Sequence, residues 1–134
     1  MILLDTNILI EVFKGNGEII NAVFDAGPEN LSLSSITAME LYYGALNKLE
    51  LQRIRKNLGA FRIIHISASI SEVATLLIER YAKSHSLQIP DALIAATALE
   101  TQSELLTLNI KDFTFIRGLS LKGAVTIPYT QKQP

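Results

Sequence analysis

The chain contains no cysteine, and only 19% of its 134 residues are charged. The absence of cysteine excludes disulfide bonds, thiol nucleophiles and thiolate metal sites, and it fits a reducing cytoplasm. No apolar run approaches the roughly 18 residues that a membrane span requires, and no basic segment followed by an apolar run marks a secretory signal. We therefore expect a cytoplasmic protein, without a membrane segment, whose fold starts at its first residue.

The low charge is matched by a hydrophobic fraction of 49%. Two interpretations stay open: a surface covered by another subunit or a tightly bound partner, or simply an α/β core rich in Ala, Leu and Ile. A net charge of −1 gives no indication of nucleic-acid binding. Basic residues cluster locally, either to contact phosphates or as solvated helix faces. These clusters are Arg53, Arg55, Lys56 and Arg62, and then Lys111, Arg117 and Lys122.

Short strands and helices alternate along the chain, with no internal repeat, low-complexity run or linker. Hydrophobic periodicity and turn residues predict strands at 2–4, 31–33, 61–66, 105–108 and 124–127. They predict helices at 8–13, 18–25, 35–47, 69–84 and 90–100, with a further helix ending near 58; Ser35 or Thr37 is the expected cap of the third. This alternation implies right-handed crossovers and a parallel sheet covered by helices on both faces. We predict one α/β domain over residues 1–134.

The first predicted strand runs directly into polar residues. Four apolar residues precede Asp5, Thr6 and Asn7. Ligands of open α/β sheets bind outside the carboxyl ends of the strands, so these three side chains lie where chemistry is usually done. Asp, Thr and Asn also cap helices well. A helix N-cap is therefore an equal interpretation of Asp5 taken alone.

Two further acids have apolar neighbours. Glu40 shares a helix face with Ile36 and Tyr43 by its spacing, so it interrupts a stripe expected to face the core. Asp91 opens a helix that continues with Ala, Leu, Ile, Ala and Ala. Acids are almost never fully buried without a partner or a cation. The alternatives are a salt bridge for Glu40 and a favourable interaction with the helix macrodipole for Asp91.

Together, these three acids favour a cation site. Carboxylates brought together repel one another unless a cation neutralises them. Oxygen ligands without cysteine indicate Mg²⁺ or Mn²⁺ and not zinc, and carboxylate-held Mg²⁺ is a recurring device for phosphodiester hydrolysis. A fourth polar group, Thr107 to Asp112, follows a predicted strand, although Asp112 could simply cap a short turn.

With these residues assembled, the chain resembles the PIN-domain ribonucleases, in particular the VapC-type toxins of bacterial and archaeal toxin–antitoxin pairs. Four segments occur in the order and at about the spacing of that family, and the resemblance extends over essentially the whole chain. The segments are LLDTNILI at 3–10, SITAMELYYG at 35–44, IPDALIAATA at 89–98 and TLNIKDF at 107–113.

The resemblance implies a three-layer α/β/α fold around a parallel sheet of about five strands. It implies an acidic pocket that holds Mg²⁺ or Mn²⁺ and cleaves RNA endonucleolytically. The family's three acids fall on Asp5, Glu40 and Asp91, which would be both the catalytic residues and the metal ligands. Thr6, Asn7 and Thr107 match polar residues that support the pocket.

The sequence departs from the family pattern at one position. Many members carry a fourth acid two residues after the hydroxyl residue at Thr107, where this chain has Asn109. Asn109 would weaken a second metal site, and Asp112 is the nearby acid that could compensate. The number of metal ions, one or two, therefore stays open.

The resemblance also implies partners: an RNA substrate, a small antitoxin whose C-terminal tail covers a groove of the toxin, and a second copy of the chain in a homodimer or a larger assembly. The alternative is a catalytically weak RNA- or protein-binding module on the same fold. The departure from the family pattern at Asn109 is the reason to consider it. A phosphatase of the haloacid-dehalogenase type is disfavoured, because it needs Asp-x-Asp where this chain has Asp5, Thr6 and Asn7.

Overall fold

The structure, a computed structural model, describes residues 1–123. In this part the strands are β1 (Ile2–Leu4), β2 (Leu31–Ser34), β3 (Arg62–Ile64), β4 (Glu104–Thr107) and β5 (Leu121–Gly123). The α helices are α1 (Thr6–Phe13), α2 (Gly17–Phe24), α3 (Ser35–Tyr43), α4 (Lys48–Leu58), α5 (Ala68–His85) and α6 (Ile89–Glu100). Short 3-10 turns lie at Pro28–Asn30 and Ile110–Asp112. No helix among these residues is both long and apolar enough to cross a membrane.

The strands form a single sheet in the order β3-β2-β1-β4-β5, and every neighbouring pair is parallel. The chain builds outwards from β1 through β2 to β3, and it then returns to place β4 on the other side of β1. The connection that leaves β1 towards β2 and the connection that leaves β4 towards β5 therefore diverge at the carboxyl ends of these two strands. Such a switch point opens a crevice, and it is where open α/β sheets place their ligands.

Helices cover both faces of the sheet, which confirms the predicted three-layer α/β/α fold. Ile2 and Leu4 of β1 pack into a core with residues of α1 to α4, whereas Leu3 packs on the opposite face with residues of α5 and α6. Alternate side chains of a strand point to opposite faces. A strand buried on both faces reads as a continuous apolar run, which is why residues 2–4 contain no polar residue.

The third helix is shorter than the predicted 35–47. It ends at Tyr43, and a new helix begins after Asn47, whose Oδ1 accepts a hydrogen bond of 2.9 Å from the backbone N of Glu50. The side chain of Asn47 satisfies an amide that would otherwise lack an intrahelical partner. This cap separates α3 from α4 and agrees with the predicted boundary near residue 47, although α3 itself already ends at Tyr43.

The cap of α3 also differs from the prediction. Ser34 occupies the N-cap position, and its hydroxyl accepts a hydrogen bond from the backbone N of Ile36 at 3.2 Å. Ser35 and Thr37, the predicted caps, lie within the helix and are buried. Their hydroxyls are consequently free for contacts other than capping.

The strand predictions differ from the structure at two places. The strand expected at 61–66 is confined to Arg62–Ile64. At the far edge of the sheet, Leu121–Gly123 pairs with β4, although its Lys and Gly give no strand signal. The strand predicted at 124–127 lies outside the described residues.

Candidate active site

Asp5 lies at the carboxyl end of β1 and is only 5% exposed. Its Oδ1 accepts a hydrogen bond of 2.8 Å from the backbone N of Thr6, so Asp5 is the N-cap of α1. Its Oδ2 accepts a second hydrogen bond of 2.8 Å from Thr107 Oγ1, at the end of the neighbouring strand β4. The cap interpretation is therefore correct. The same carboxylate also spans the crevice between β1 and β4.

Thr107 connects several of the predicted supporting residues. Its Oγ1 accepts hydrogen bonds from the backbone N of Asn109 at 3.0 Å and from Asn7 Nδ2 at 3.4 Å. The Oδ1 of Asn7 in turn accepts a hydrogen bond from the backbone N of Leu108 at 3.3 Å. The beginning of α1 and the end of β4 are thus joined by side chains that surround Asp5.

Glu40 is half-buried on α3, and its Oε1 accepts a hydrogen bond of 2.7 Å from Thr6 Oγ1. The prediction that Glu40 interrupts a core-facing stripe is wrong, because Tyr43 on that stripe is 94% exposed. The buried residues of α3 include Thr37, Ala38 and Leu41. Glu40 instead turns towards the beginning of α1, which lies at the carboxyl edge of the sheet.

The salt bridge considered for Glu40 is not formed among the described residues. The ion pair found in residues 1–123 joins Lys14 Nζ to Glu11 Oε2 at 3.7 Å. The partner of Glu40 is a hydroxyl group, which leaves the charge of its carboxylate uncompensated.

Asp91 and Asp112 occupy the other side of the crevice. Asp91 lies half-buried in the first turn of α6, and Asp112 lies exposed in the 3-10 turn that follows β4. Within the described residues, neither carboxylate accepts a hydrogen bond from a side chain or a backbone N–H. These two acids therefore lack the fixed donors that hold Asp5 and Glu40.

Electrostatic repulsion links the four acids. Burial raises the pKa of Asp91 to about 6, and the charges of Asp5, Asp112 and Glu40 add to this effect in that order. Burial also raises the pKa of Asp5, with smaller contributions from Glu40 and Asp112, while the hydrogen bonds from Thr107 and Thr6 oppose the rise. The structure thus brings Asp5, Glu40, Asp91 and Asp112 within range of one another's charges.

The chemistry of this donor set fits a hard divalent cation. All four groups offer carboxylate oxygens, which are ligands that Mg²⁺ and Mn²⁺ prefer, and a cation would relieve their repulsion. As the side chains stand, however, no three Asp, Glu or His residues within 1–123 lie close enough to hold one ion together. Joint coordination by Asp5, Glu40 and Asp91 therefore stays a prediction.

The sequence interpretation missed Thr37 as part of this site. Its side chain is fully buried, and its Oγ1 lies 3.1 Å from Thr6 Oγ1. The available signal was its position on α3, one turn before Glu40, which puts both residues on the same side of the helix. The sequence pattern itself indicates Thr37 only as a helix cap.

A groove of about 500 Å³ runs beside Glu40, between α1, α3 and α4. Apolar side chains line much of it, including Ile10, Phe13 and Ile54. Lys14 and Arg53 add positive charge to its walls. The groove thus combines apolar side chains with basic ones and with two acids, Glu40 and Glu50, and it is lined by three helices.

Comparisons with known proteins agree with this geometry. The PIN domain family matches residues 2–117 of the chain. The chain is 32% identical over 130 residues to ribonuclease VapC10 of Mycobacterium tuberculosis, covering 93% of this chain and 95% of that protein. It is 29% identical over 133 residues to a tRNA(fMet)-specific endonuclease VapC of Salmonella typhimurium, covering 90% and 95%.

The fold is also found among solved structures. A chain of a toxin–antitoxin complex from Klebsiella pneumoniae superimposes with a TM-score of 0.79 at 39% identity, covering 95% of this chain and all of that one. The family match extends over most of the 134 residues, and it includes all four acids of the crevice. The chain belongs to the PIN domain family.

Proposed function

We propose that this protein is a metal-dependent endoribonuclease and the toxin of a type II toxin–antitoxin pair. The observation that carries the proposal is the group of acids at the switch point, where Asp5, Glu40, Asp91 and Asp112 repel one another in a crevice at the sheet edge. Burying uncompensated carboxylates costs free energy, and a cation bound between them would offset this cost. The similarity to VapC ribonucleases favours RNA as the substrate.

In this proposal Asp5, Glu40 and Asp91 hold one or two Mg²⁺ or Mn²⁺ ions. A bound ion would activate a water for in-line attack on the scissile phosphate and would stabilise charge on the phosphoryl oxygens. The protein's own contribution is positioning. Thr6 and Thr107 donate to the carboxylates of Glu40 and Asp5 at 2.7 and 2.8 Å, which fixes where these oxygens lie before substrate binds.

The raised pKa values also bear on cation binding. Because metal ligands must be deprotonated, a cation competes with protons for Asp5 and Asp91. With a pKa of about 6, Asp91 is largely ionised at neutral pH and ready to bind. Activity should therefore decline as the pH falls below about 6.

We further propose that a segment of a small antitoxin occupies the groove between α1, α3 and α4. The groove adjoins Glu40, so a chain lying in it would block access to the acids. A homologous chain occurs in a toxin–antitoxin complex. Homodimerisation and a cytoplasmic location, where the RNA substrates would be met, belong to the same proposal.

Cleavage of RNA by the purified protein tests the enzymatic part. We expect cleavage with Mn²⁺ or Mg²⁺ and none with EDTA. Asp5→Asn and Asp91→Asn should each lose about 10³-fold in rate, since a metal ion supplies several kcal/mol of transition-state stabilisation. Asp25→Asn, an exposed acid at the end of α2, is the matched control and should retain full activity. Full activity in either site variant would contradict the assignment.

A thermal-shift titration separates cation binding from catalysis. At a Mn²⁺ concentration of about 100 times Kd, binding to the folded state adds about 2.7 kcal/mol, or roughly 10 °C in Tm for a chain of this size. The shift should disappear in Asp91→Asn and persist in Asp25→Asn. RNA that binds to the folded protein in Mn²⁺ but is never cut would instead favour the alternative, a binding module on the same fold.

A further inference from the structure

The hydroxyl of Thr37 has no role in holding its own helix. The cap of α3 is Ser34 and not Thr37, and the side chain of Thr37 is fully buried. Its hydrogen-bond partner among the described residues is Thr6 Oγ1, 3.1 Å away on α1. A buried hydroxyl that links two helices beside a candidate metal ligand requires a functional explanation.

The number of protons decides the direction of this contact. A threonine hydroxyl carries one hydrogen and two acceptor lone pairs, whereas an ionised carboxylate only accepts. Thr6 must therefore place its hydrogen on Glu40 Oε1, at 2.7 Å. The two hydroxyl oxygens lie 3.1 Å apart. Because the one hydrogen of Thr6 cannot serve two acceptors and its shorter contact is to the charged carboxylate, we assign the hydrogen between the two hydroxyls to Thr37. The result is a relay in which Thr37 donates to Thr6, and Thr6 donates to Glu40.

We propose that Thr37 is a positioning residue for the nuclease site and acts on Glu40 through Thr6. Its donated hydrogen bond fixes the Thr6 hydroxyl in the orientation that points to the carboxylate. Consecutive hydrogen bonds also polarise one another, so Thr6 becomes a stronger donor. This inference rests on the proposed function, because it takes Glu40 as a ligand of the catalytic cation.

The geometry gives Thr37 no contact with RNA, since its side chain is fully buried. Its loss should therefore change the chemical step and cation binding, but not substrate affinity. Mutation of a group that orients a metal ligand typically weakens metal binding at least about tenfold. We expect Thr37→Val to weaken Mn²⁺ binding about tenfold by calorimetry, and to lower kcat with an unchanged KM. Thr37→Ser, which keeps the hydroxyl, should restore both.

A double-mutant cycle shows whether Thr37 acts through Glu40. In a Glu40→Ala background, Thr37→Val should produce no further change in Mn²⁺ affinity, because the carboxylate at the end of the relay is gone. An equal tenfold loss in both backgrounds would show that Thr37 acts structurally, and it would overturn the inference. If Thr37→Val does not fold, Thr37→Ser and Thr37→Ala provide the same comparison of hydroxyl present and absent.

The outcomes also separate this inference from the function on which it rests. A wild-type protein that cuts RNA in Mn²⁺, together with a Thr37→Val variant of equal Mn²⁺ affinity and kcat, overturns the role of Thr37 alone. A wild-type protein that binds Mn²⁺ but never cuts RNA overturns the nuclease function, while the affinity cycle between Thr37 and Glu40 still decides the relay. A wild-type protein that binds no Mn²⁺ overturns both.

Discussion

The crevice has two halves that are held in different ways. Asp5 and Glu40 each accept hydrogen bonds from fixed donors, and Thr6 serves both, through its backbone N and its hydroxyl respectively. Asp91 and Asp112 accept none from the described residues, and charge repulsion connects them to the first pair. One half is positioned by hydrogen bonds, and the other is positioned only by the helix and the turn that carry it.

The difference shows how such a site can be held in place by hydrogen bonds and still change its stability with pH and metal binding. Donors to carboxylates stabilise the charged form, so the hydrogen bonds from Thr107 and Thr6 offset part of the burial and repulsion that raise the pKa of Asp5. The second half lacks this compensation, and its charge weakens the fold until a cation arrives. We expect substitutions in the first half to damage stability and those in the second half to change how stability responds to pH and metal.

The largest effect on stability is expected from Thr107→Val. This change removes the donor to Asp5 Oδ2 and the acceptor for the backbone N of Asn109. Both Asp5 and Thr107 are buried, and unpaired buried groups of this kind cost about 2–3 kcal/mol. Urea denaturation without metal at pH 7 should show this loss in the free energy of unfolding.

The test compares the stability loss of Thr107→Val with that of a substitution in the half that contains Asp91. Thr107→Ser retains the hydroxyl and should lose much less than Thr107→Val. Asp91→Asn, which removes a repelled charge and no hydrogen bond, should leave the metal-free protein as stable as wild type or more so. Equal losses in Thr107→Val and Asp91→Asn would show that the two halves do not differ in the way described.

The pattern of the sequence predicts the fold well because the sheet is buried on both faces. Residues 2–4 and 105–106 are apolar for this reason, and the alternation of strands and helices predicts a parallel sheet with right-handed crossovers. Boundaries that depend on a single side chain could not be predicted in the same way. The start of α3 depends on the capping contact of Ser34 in place of the expected Ser35 or Thr37, and the edge strand β5 depends on its pairing with β4.

The candidate acids could be predicted from their positions, but their contacts could not. Asp5 is placed by the end of β1 and Asp91 by the start of α6, and both positions are visible in the sequence. The exposure of Tyr43 depends on how α3 is rotated against the sheet, so the apolar stripe proposed for Glu40 was wrong. The contact between Thr37 and Thr6 joins two helices, and no local pattern reveals it.

We expect pH to have an effect of intermediate size on the free energy of unfolding. A carboxyl whose pKa is higher in the folded than in the unfolded state binds protons more tightly when folded, so protonation stabilises the fold. For Asp91 the values are about 6 and 3.8. Its contribution is therefore fully present below about pH 4 and is lost as the pH rises through about 6. Because solvent screens this half-buried group, we expect about 1 kcal/mol, measured by urea denaturation in EDTA between pH 4 and 7.5.

Asp91→Asn is the control for this pH profile. The variant should lose the Asp91 component and keep a smaller decline from Asp5, whose pKa is also raised. Saturating Mn²⁺ should reverse the trend in the wild type, because the cation binds the deprotonated carboxylates. A stability that rises from pH 4 to 7.5 in EDTA would show that the repulsion between the acids is already compensated.

We expect the smallest changes, in the metal-free Tm and in Mn²⁺ affinity, when a charge is added to the half of the crevice that lacks hydrogen-bond donors. Asn109 is exposed beside Thr107 and stands where many family members carry an acid. Asn109→Asp should lower the metal-free Tm slightly and strengthen Mn²⁺ binding about threefold, as a screened interaction between exposed charges allows. Asp112→Asn should produce the opposite changes. If Asn109→Asp leaves Mn²⁺ affinity unchanged while Asp112→Asn weakens it, then Asp112 already occupies the fourth position of the pocket, because the site gains nothing from a further carboxylate.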